Sequence, residues 1–428
     1  MKLLIKNATI ISMDKQRDKI EYDTDILIED NIIKQIGKKI RKKVDKTIDA
    51  AGKVVMPGFV NTHAHVPMCI FRETLDGYNL QDWLSKKIWP MERSLTFDDI
   101  YYASYLTFIE MIKTGTTTVN DMYFETDAII KAMKETGVRL QTTVTLRNND
   151  NDGEKRFNDF KKILENYYNT DSKLTFNAGI HGLYTTTSSY VDKCLALSKK
   201  YNINVHLHFC ENLEEIKDIK RQFHKEPVNV LLKYFINTPF KPILAHCVCL
   251  TQDDIKKLNK INANISHCPI SNLRLGCGVA NIDYMLNQGL NVSLGTDGQG
   301  SGSSMDMFET MKYTALLQKG KTRNPESMPS YEVLKMATIN GAKALGLDDI
   351  IGSIAENKVA DLIIVDIDDI TIKPVNDLIS ELVYNVKGSN VWGTIIDGNV
   401  LMENKTLLNI DENKIINKVD EIYKRISK

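Results

Sequence analysis

The chain has 428 residues, 43% of them hydrophobic and 26% charged, and its 55 Lys and Arg balance 55 Asp and Glu. That composition belongs to a globular chain with a sizeable core, and the length suits two structural units. Zero net charge leaves no field to gather nucleic acid or an anionic membrane, and no apolar run reaches the length of a membrane span.

Met1-Lys-Leu-Leu-Ile-Lys opens on a strand-like alternation rather than a signal-peptide pattern. Seven cysteines, an odd number spread over a long chain, point to reduced thiols and a cytoplasmic setting. Residues 1–55 read as short strands, with 25–28 and 32–37 forming a hairpin around Asp30-Asn31. The far end repeats the idiom in 359–366, 392–396 and 399–402, the last two joined by Asp397-Gly398. Neither set is large enough to stand alone, so both ends are expected to form one composite β-sandwich domain, 1–55 with 346–428.

From 56 to 345, strand-like and helix-like segments alternate. The first strand runs through Pro57-Gly-Phe-Val-Asn-Thr-His-Ala-His65. Others are expected at 116–121, 140–146, 174–180, 204–209, 242–246, 263–267 and 291–297. Eight β units separated by helices predict an α/β fold, a closed parallel (β/α)8 TIM-like barrel.

The polar residues then take on a pattern. His63 and His65 close the first strand, His181 the fourth, His208 the fifth, His246 the sixth, His267 the seventh and Asp297 the eighth. In such barrels the active site lies at the C-terminal ends of the strands. Histidines scattered through a core would not select one end of each strand. A catalytic divalent metal takes about three protein ligands and keeps a position for water. The most economical set is His63, His65, His208 and Asp297. His208 also opens an H-x-x-E pattern, which carries Glu211 past the strand end and over the mouth. A carboxylate there takes a proton from water and passes it to a substrate nitrogen. His246 is placed to hold that water, and Asp297 to touch it as well as the metal. His206 shares a face with His208 one layer deeper and reads as a supporting residue. His267 reads as supporting or loop-anchoring, and His224, in a Lys-rich segment, as surface. The glycine-rich stretch 295–304 gives backbone room around Asp297, with Ser303 or Ser304 expected to cap a helix starting near Met305.

These residues resemble the amidohydrolase superfamily, and within it the 5'-methylthioadenosine/S-adenosylhomocysteine deaminases. The similarity runs through PGFVNTHAH (57–65), WPMER (89–93), GIHG (179–182), HLHFCE (206–211), LAHC (244–247), SHCPISNLRLGCG (266–278) and GTDG (295–298). It implies hydrolytic deamination of an adenosine-type nucleoside, and one Zn2+ per chain, or Fe2+ in its stead. It also implies a small-molecule substrate, no nucleic-acid or membrane partner, and association into a homo-oligomer. Glu92 is similar to the glutamate that accepts the ribose hydroxyls, a task that suits the two oxygens of a carboxylate. His181 is similar to a residue that contacts the purine nucleoside. Arg147 and Arg156 lie where relatives hold the homocysteine carboxylate, and Trp83 and Leu84 where an apolar pocket or plain core packing is expected. Another reaction of the same metal centre, such as guanine or 8-oxopurine deamination or triazine hydrolysis, needs no ribose clamp. A non-catalytic scaffold needs no metal.

Overall fold

Phe59–Ala64 (β1), Thr116–Asp121 (β2) and Arg139–Thr142 (β3) lead the parallel strands of the computed structural model, which describes residues 1–427. They continue as β4, broken at Asn177 into Leu174–Phe176 and Ala178–Ile180, and as Val205–Phe209 (β5). Ile243–His246 (β6), Asn264–His267 (β7) and Asn291–Leu294 (β8) complete the set. The break in β4 divides the ladder into two arcs. A parallel bridge between Leu146 and Ile180 joins them at one seam. At the other, the Asp297 N–H donates to the His63 carbonyl at 3.0 Å and returns the last strand to the first. At the break the buried Asn177 side-chain amide donates to Asn120 Oδ1 at 2.6 Å, while its backbone N–H donates to the Thr142 carbonyl at 3.3 Å.

A nine-stranded sheet is built from both ends of the chain. Lys53–Pro57 lies antiparallel to Leu362–Asp366, with Met56 opposite Ile363, and parallel to the opening strand Lys2–Ile10. Strand alternation sorts the apolar residues onto two faces. Val55, Leu362, Ile364 and Ile395 join Leu3, Ile5, Ile26 and Ile28 in the sheet's own core. Val54, Met56, Ile363 and Val365 face the other way, into the core shared with the barrel helices. Each such Val, Leu or Ile contributes about 1.5–3 kcal/mol when fully buried.

The apolar run at 54–60 serves both units, and the strand expected to begin at Pro57 begins at Phe59. Val54–Pro57 belongs to the composite sheet and Phe59–Ala64 to the barrel, with the change at Gly58. A Cβ at Gly58 would stand 2.1 Å from Thr117 Cγ2, so the crossing requires glycine. The helix Phe97–Thr114 opens on a Thr96/Asp99 capping box and carries the C-terminal helix Glu412–Ile426 on its outer side. Arg425 pairs with Asp99, and Lys113 with Glu412 at 2.6 Å. At the barrel floor Arg139 donates to Asp361 through Nε at 2.7 Å and Nη2 at 3.2 Å, tying β3 to the composite sheet. Among the described residues no helix is long and apolar enough to cross a membrane.

Candidate metal centre

Four histidine rings meet at the C-terminal ends of β1, β5 and β6. One ligand atom each from His63, His208, His246 and Asp297 lies within 4.8 Å of all the others. His65 stands beside them, its Nε2 3.1 Å from Asp297 Oδ1 and 3.3 Å from His208 Nε2. All five residues named from the sequence thus come to one locus. The mutually close group takes in His246, which the sequence reading assigned to the water, and sets His65 against Asp297 and His208.

The far side of each ring is already engaged. His65 Nδ1–H donates to the Met122 carbonyl at 2.7 Å and His208 Nδ1–H to the His181 carbonyl at 2.6 Å. A neutral ring that donates from Nδ1 presents a bare lone pair at Nε2, which is the form a metal ligand needs. His63 Nδ1 lies 2.9 Å from His206 Nε2, so His206 supports it from one layer below. His246 Nδ1 lies 2.8 Å from Asn272 Oδ1. Asp297 is held from behind, where its Oδ2 accepts from Ser271 at 2.5 Å and from Ser301 at 2.7 Å. Its Oδ1 is left to face the histidines.

This donor set fits a divalent cation. His63 Nε2 is buried without a hydrogen-bond partner, although Asp297 Oδ1 lies 3.3 Å away. Burial alone would raise the Asp297 carboxyl, yet His63 and His65 outweigh it and hold it well below the usual carboxylate range. Burial likewise opposes charge on His65, but Asp297 lifts its pKa to about 9. A buried carboxylate ringed by imidazoles therefore calls for one positive charge at their common point, and imidazole with carboxylate suits a first-row divalent ion.

Glu211 sits 5% exposed beyond the end of β5, its Oε1 3.9 Å from His246 Nε2. Burial pushes its carboxyl upward, partly offset by His246. Glu92, at the end of the short helix Trp89–Glu92, accepts from the Tyr123 hydroxyl at 2.8 Å, and burial raises its carboxyl. His181 is held neutral, pushed down to about 3 by burial and then by the nearby Arg147. The two arginines differ. Arg147 lies over the Trp89 ring at 5.5 Å, whereas Arg156 is engaged by both oxygens of Asp150 at 2.6 and 2.8 Å. Trp83 is core, its indole donating to Thr74 and packing where a Cβ on Gly300 would fall. His267 is buried with neither ring nitrogen partnered, and His224 is exposed.

The expected cap at Ser303 or Ser304 is corrected. The helix there is Met307–Thr322, and Asp306 caps it by accepting the Phe308 N–H at 2.9 Å. Ser304 hydrogen-bonds Glu309 instead, because two further residues separate it from the first turn. Sequence reasoning missed Tyr123, Ser271, Ser301 and Asn272. Ser271 and Asn272 carried a signal in the SHCPISN stretch beside His267, and Ser301 in the glycine-rich stretch 295–304 that follows Asp297; Tyr123 carried none.

A parallel barrel whose strand ends gather imidazoles, an aspartate and a buried glutamate defines a metal-dependent hydrolase. Residues 54–401 match the model of the amidohydrolase family. A 5'-deoxyadenosine deaminase from Methanocaldococcus jannaschii is 39% identical over 405 residues, covering 93% of this chain and 96% of that protein. A 5-methylthioadenosine/S-adenosylhomocysteine deaminase from Thermoanaerobacter pseudethanolicus is 37% identical over 431 residues, covering 100% of this chain and 99% of that protein. Among solved structures, an adenosine deaminase from Xanthomonas campestris with bound zinc superposes with a TM-score of 0.94 at 25% identity, covering 99% of this chain and 98% of that one. The chain belongs to the amidohydrolase family.

Proposed function

We propose that the protein deaminates an adenosine-type nucleoside hydrolytically, giving the inosine analogue and ammonia. The observation that carries this reading is the buried Glu211 carboxylate, 3.9 Å from His246 at the edge of the histidine–aspartate cluster. His63, His65, His208 and Asp297 would hold one divalent ion, Zn2+ or Fe2+ in its stead, and His246 is placed to hold the water. When bound, the ion supplies Lewis-acid activation of that water near neutral pH. Glu211 takes a proton from the water and delivers it to N1 of the purine as the oxygen bonds to C6. The C6 amino group then leaves as ammonia, carrying the second proton of the water, and the ring keeps the oxygen as the 6-oxo group. His246 Nε2 accepts a hydrogen bond from the water, and Asp297 Oδ1 orients it.

Around that centre Glu92 receives the ribose hydroxyls, with Tyr123 fixing its carboxylate, and His181, neutral, meets the nucleoside. Arg147, stacked on Trp89, faces a substituent at the 5' position, and Arg156 braces the same loop through Asp150. The catalytic unit runs from Gly58 to 345, two residues later than the boundary expected at 55/56 because Met56 and Pro57 pair with Ile363 and Leu362, and the strands on either side of it form the composite unit. Seven unpaired cysteines support a reducing, cytoplasmic setting.

A panel of adenosine, 5'-deoxyadenosine, 5'-methylthioadenosine and S-adenosylhomocysteine tests the reading through the absorbance change from adenine to hypoxanthine. No conversion of any member by metal-loaded protein would refute it. Glu92→Ala separates it from free-base deamination or triazine hydrolysis: most nucleoside turnover should vanish, whereas a free-base enzyme would keep its rate.

A further inference from the structure

The turn that presents Glu211 is held by a second glutamate. β5 ends at Phe209, and Cys210 follows with φ +51°, a backbone conformation that L residues seldom adopt. Asn212 then caps the helix Leu213–Phe223, its side chain accepting the Glu215 N–H at 2.9 Å. Glu215 occupies the third helical position and is 3% exposed. An acid at that position commonly reaches back to the backbone of the cap residue itself. Glu215 reaches further. Its Oε1 accepts the Cys210 N–H at 2.9 Å and its Oε2 accepts the Glu211 N–H at 2.8 Å. A carboxylate that takes one N–H on each oxygen fixes both the position and the plane of the peptide between them.

The Glu211 side chain is only loosely gripped at its far end. Cys277 Sγ and His246 Nε2 each stand 3.9 Å from its Oε1. Its aim is therefore set by the backbone from which it projects. We propose that Glu215 is a positioning residue for Glu211, clamping the 210–211 amides so that the Glu211 carboxylate sits over the reacting water and the purine N1. This rests on the reading of Glu211 as proton carrier.

The test compares metal-loaded Glu215→Gln, Asn212→Ala, Glu211→Gln and the E211Q/E215Q double variant. Glutamine fills the same space, but its amide offers one acceptor and turns an N–H toward the other backbone donor. A displacement of the order of 1 Å at a reacting group lowers turnover by about a hundredfold. The expected result for E215Q is that loss in kcat, with KM and bound metal at parental values. N212A, which loosens the same helix start without touching the 210–211 amides, should keep kcat near the parent. In the E211Q background, E215Q should add no further loss. Where the amide variant does not fold, Glu215→Asp, whose carboxylate is drawn back by one methylene, shows the same separation of kcat from KM. Parental kcat in E215Q with E211Q inactive would overturn the positioning role alone. So would a full additional loss in the double variant, or loss of metal in step with kcat. Parental turnover in E211Q would overturn both readings.

Discussion

The floor and the mouth of the barrel treat buried charge in opposite ways. At the floor, the Arg139 side chain is 3% exposed and its donors meet Asp361 and the Ser172 carbonyl, with Asp397 3.7 Å away. At the mouth, His63, His65, His208 and His246 turn toward one carboxylate, and His63 Nε2 has no hydrogen-bond partner. Buried polar groups that complete one another hold a fold together; buried groups aimed at a shared outside point are arranged to hold something else. Cys210, His246, Cys247 and Asp297 take φ values of 51°, 73°, 51° and 61°, all just past the ends of their strands or at them. Such conformations persist only where surrounding structure enforces them.

Four experiments strain this contrast. The largest effect is expected of Glu211→Gln, which should lower kcat by about 10²–10⁴-fold while bound metal stays at one ion per chain. Parental turnover would reduce the mouth to packing. Removing the divalent ion with a chelator should abolish turnover and lower the melting temperature, both restored by stoichiometric zinc. An ion present at a hundred times its dissociation constant contributes about 2.7 kcal/mol of stability, so an unchanged melting curve would contradict the site. Arg139→Met should do the reverse of the mouth variants. It leaves Asp361 buried without its partner and should cost about 3–5 kcal/mol, read from the urea midpoint, with kcat per folded molecule unchanged.

The smallest effect is a pH dependence in the rim loop. Arg156 holds the Asp150 carboxyl at about 2, below its ordinary 3.8. A depressed folded-state pKa means that the pair stabilises the protein above about pH 3.8 and loses that contribution as pH falls toward 2. Asp150 is 35% exposed at its side chain, so the contribution is under about 1 kcal/mol. The stability gap between the parent and Asp150→Asn should accordingly narrow from pH 5 to pH 2.5. A gap that does not change with pH would remove the ion pair from the loop's stability.

What was legible in the sequence is what strand periodicity and strand ends carry. His63, His65, His208, Glu211, His246 and Asp297 each stand at a recognisable strand terminus, so a barrel places them together without any knowledge of packing. Glu211 was legible through its spacing from His208. The residues that brace them were not. Ser301 reaches Asp297 from a short helix, and Tyr123 reaches Glu92 from beyond β2, contacts that depend on how loops fold over the mouth. The difference between Arg147 and Arg156 was equally hidden, because Asp150 pairs with both, at 3.3 Å from Arg147 and through two hydrogen bonds to Arg156, and only Arg147 also stacks on Trp89. Gly58 looked like part of one apolar strand because hydrophobicity does not record which sheet a residue joins.

The pairing of Lys53–Pro57 with Leu362–Asp366 bears on how the chain is made. A ribosome delivers the early segment long before its distant complement, with the whole barrel emerging in between. Until then Val54 and Met56 lie on an unpaired edge, the kind of surface that invites association with other nascent chains. Final assembly must therefore follow completion of the barrel, and any early stop before residue 362 would leave that edge permanently bare.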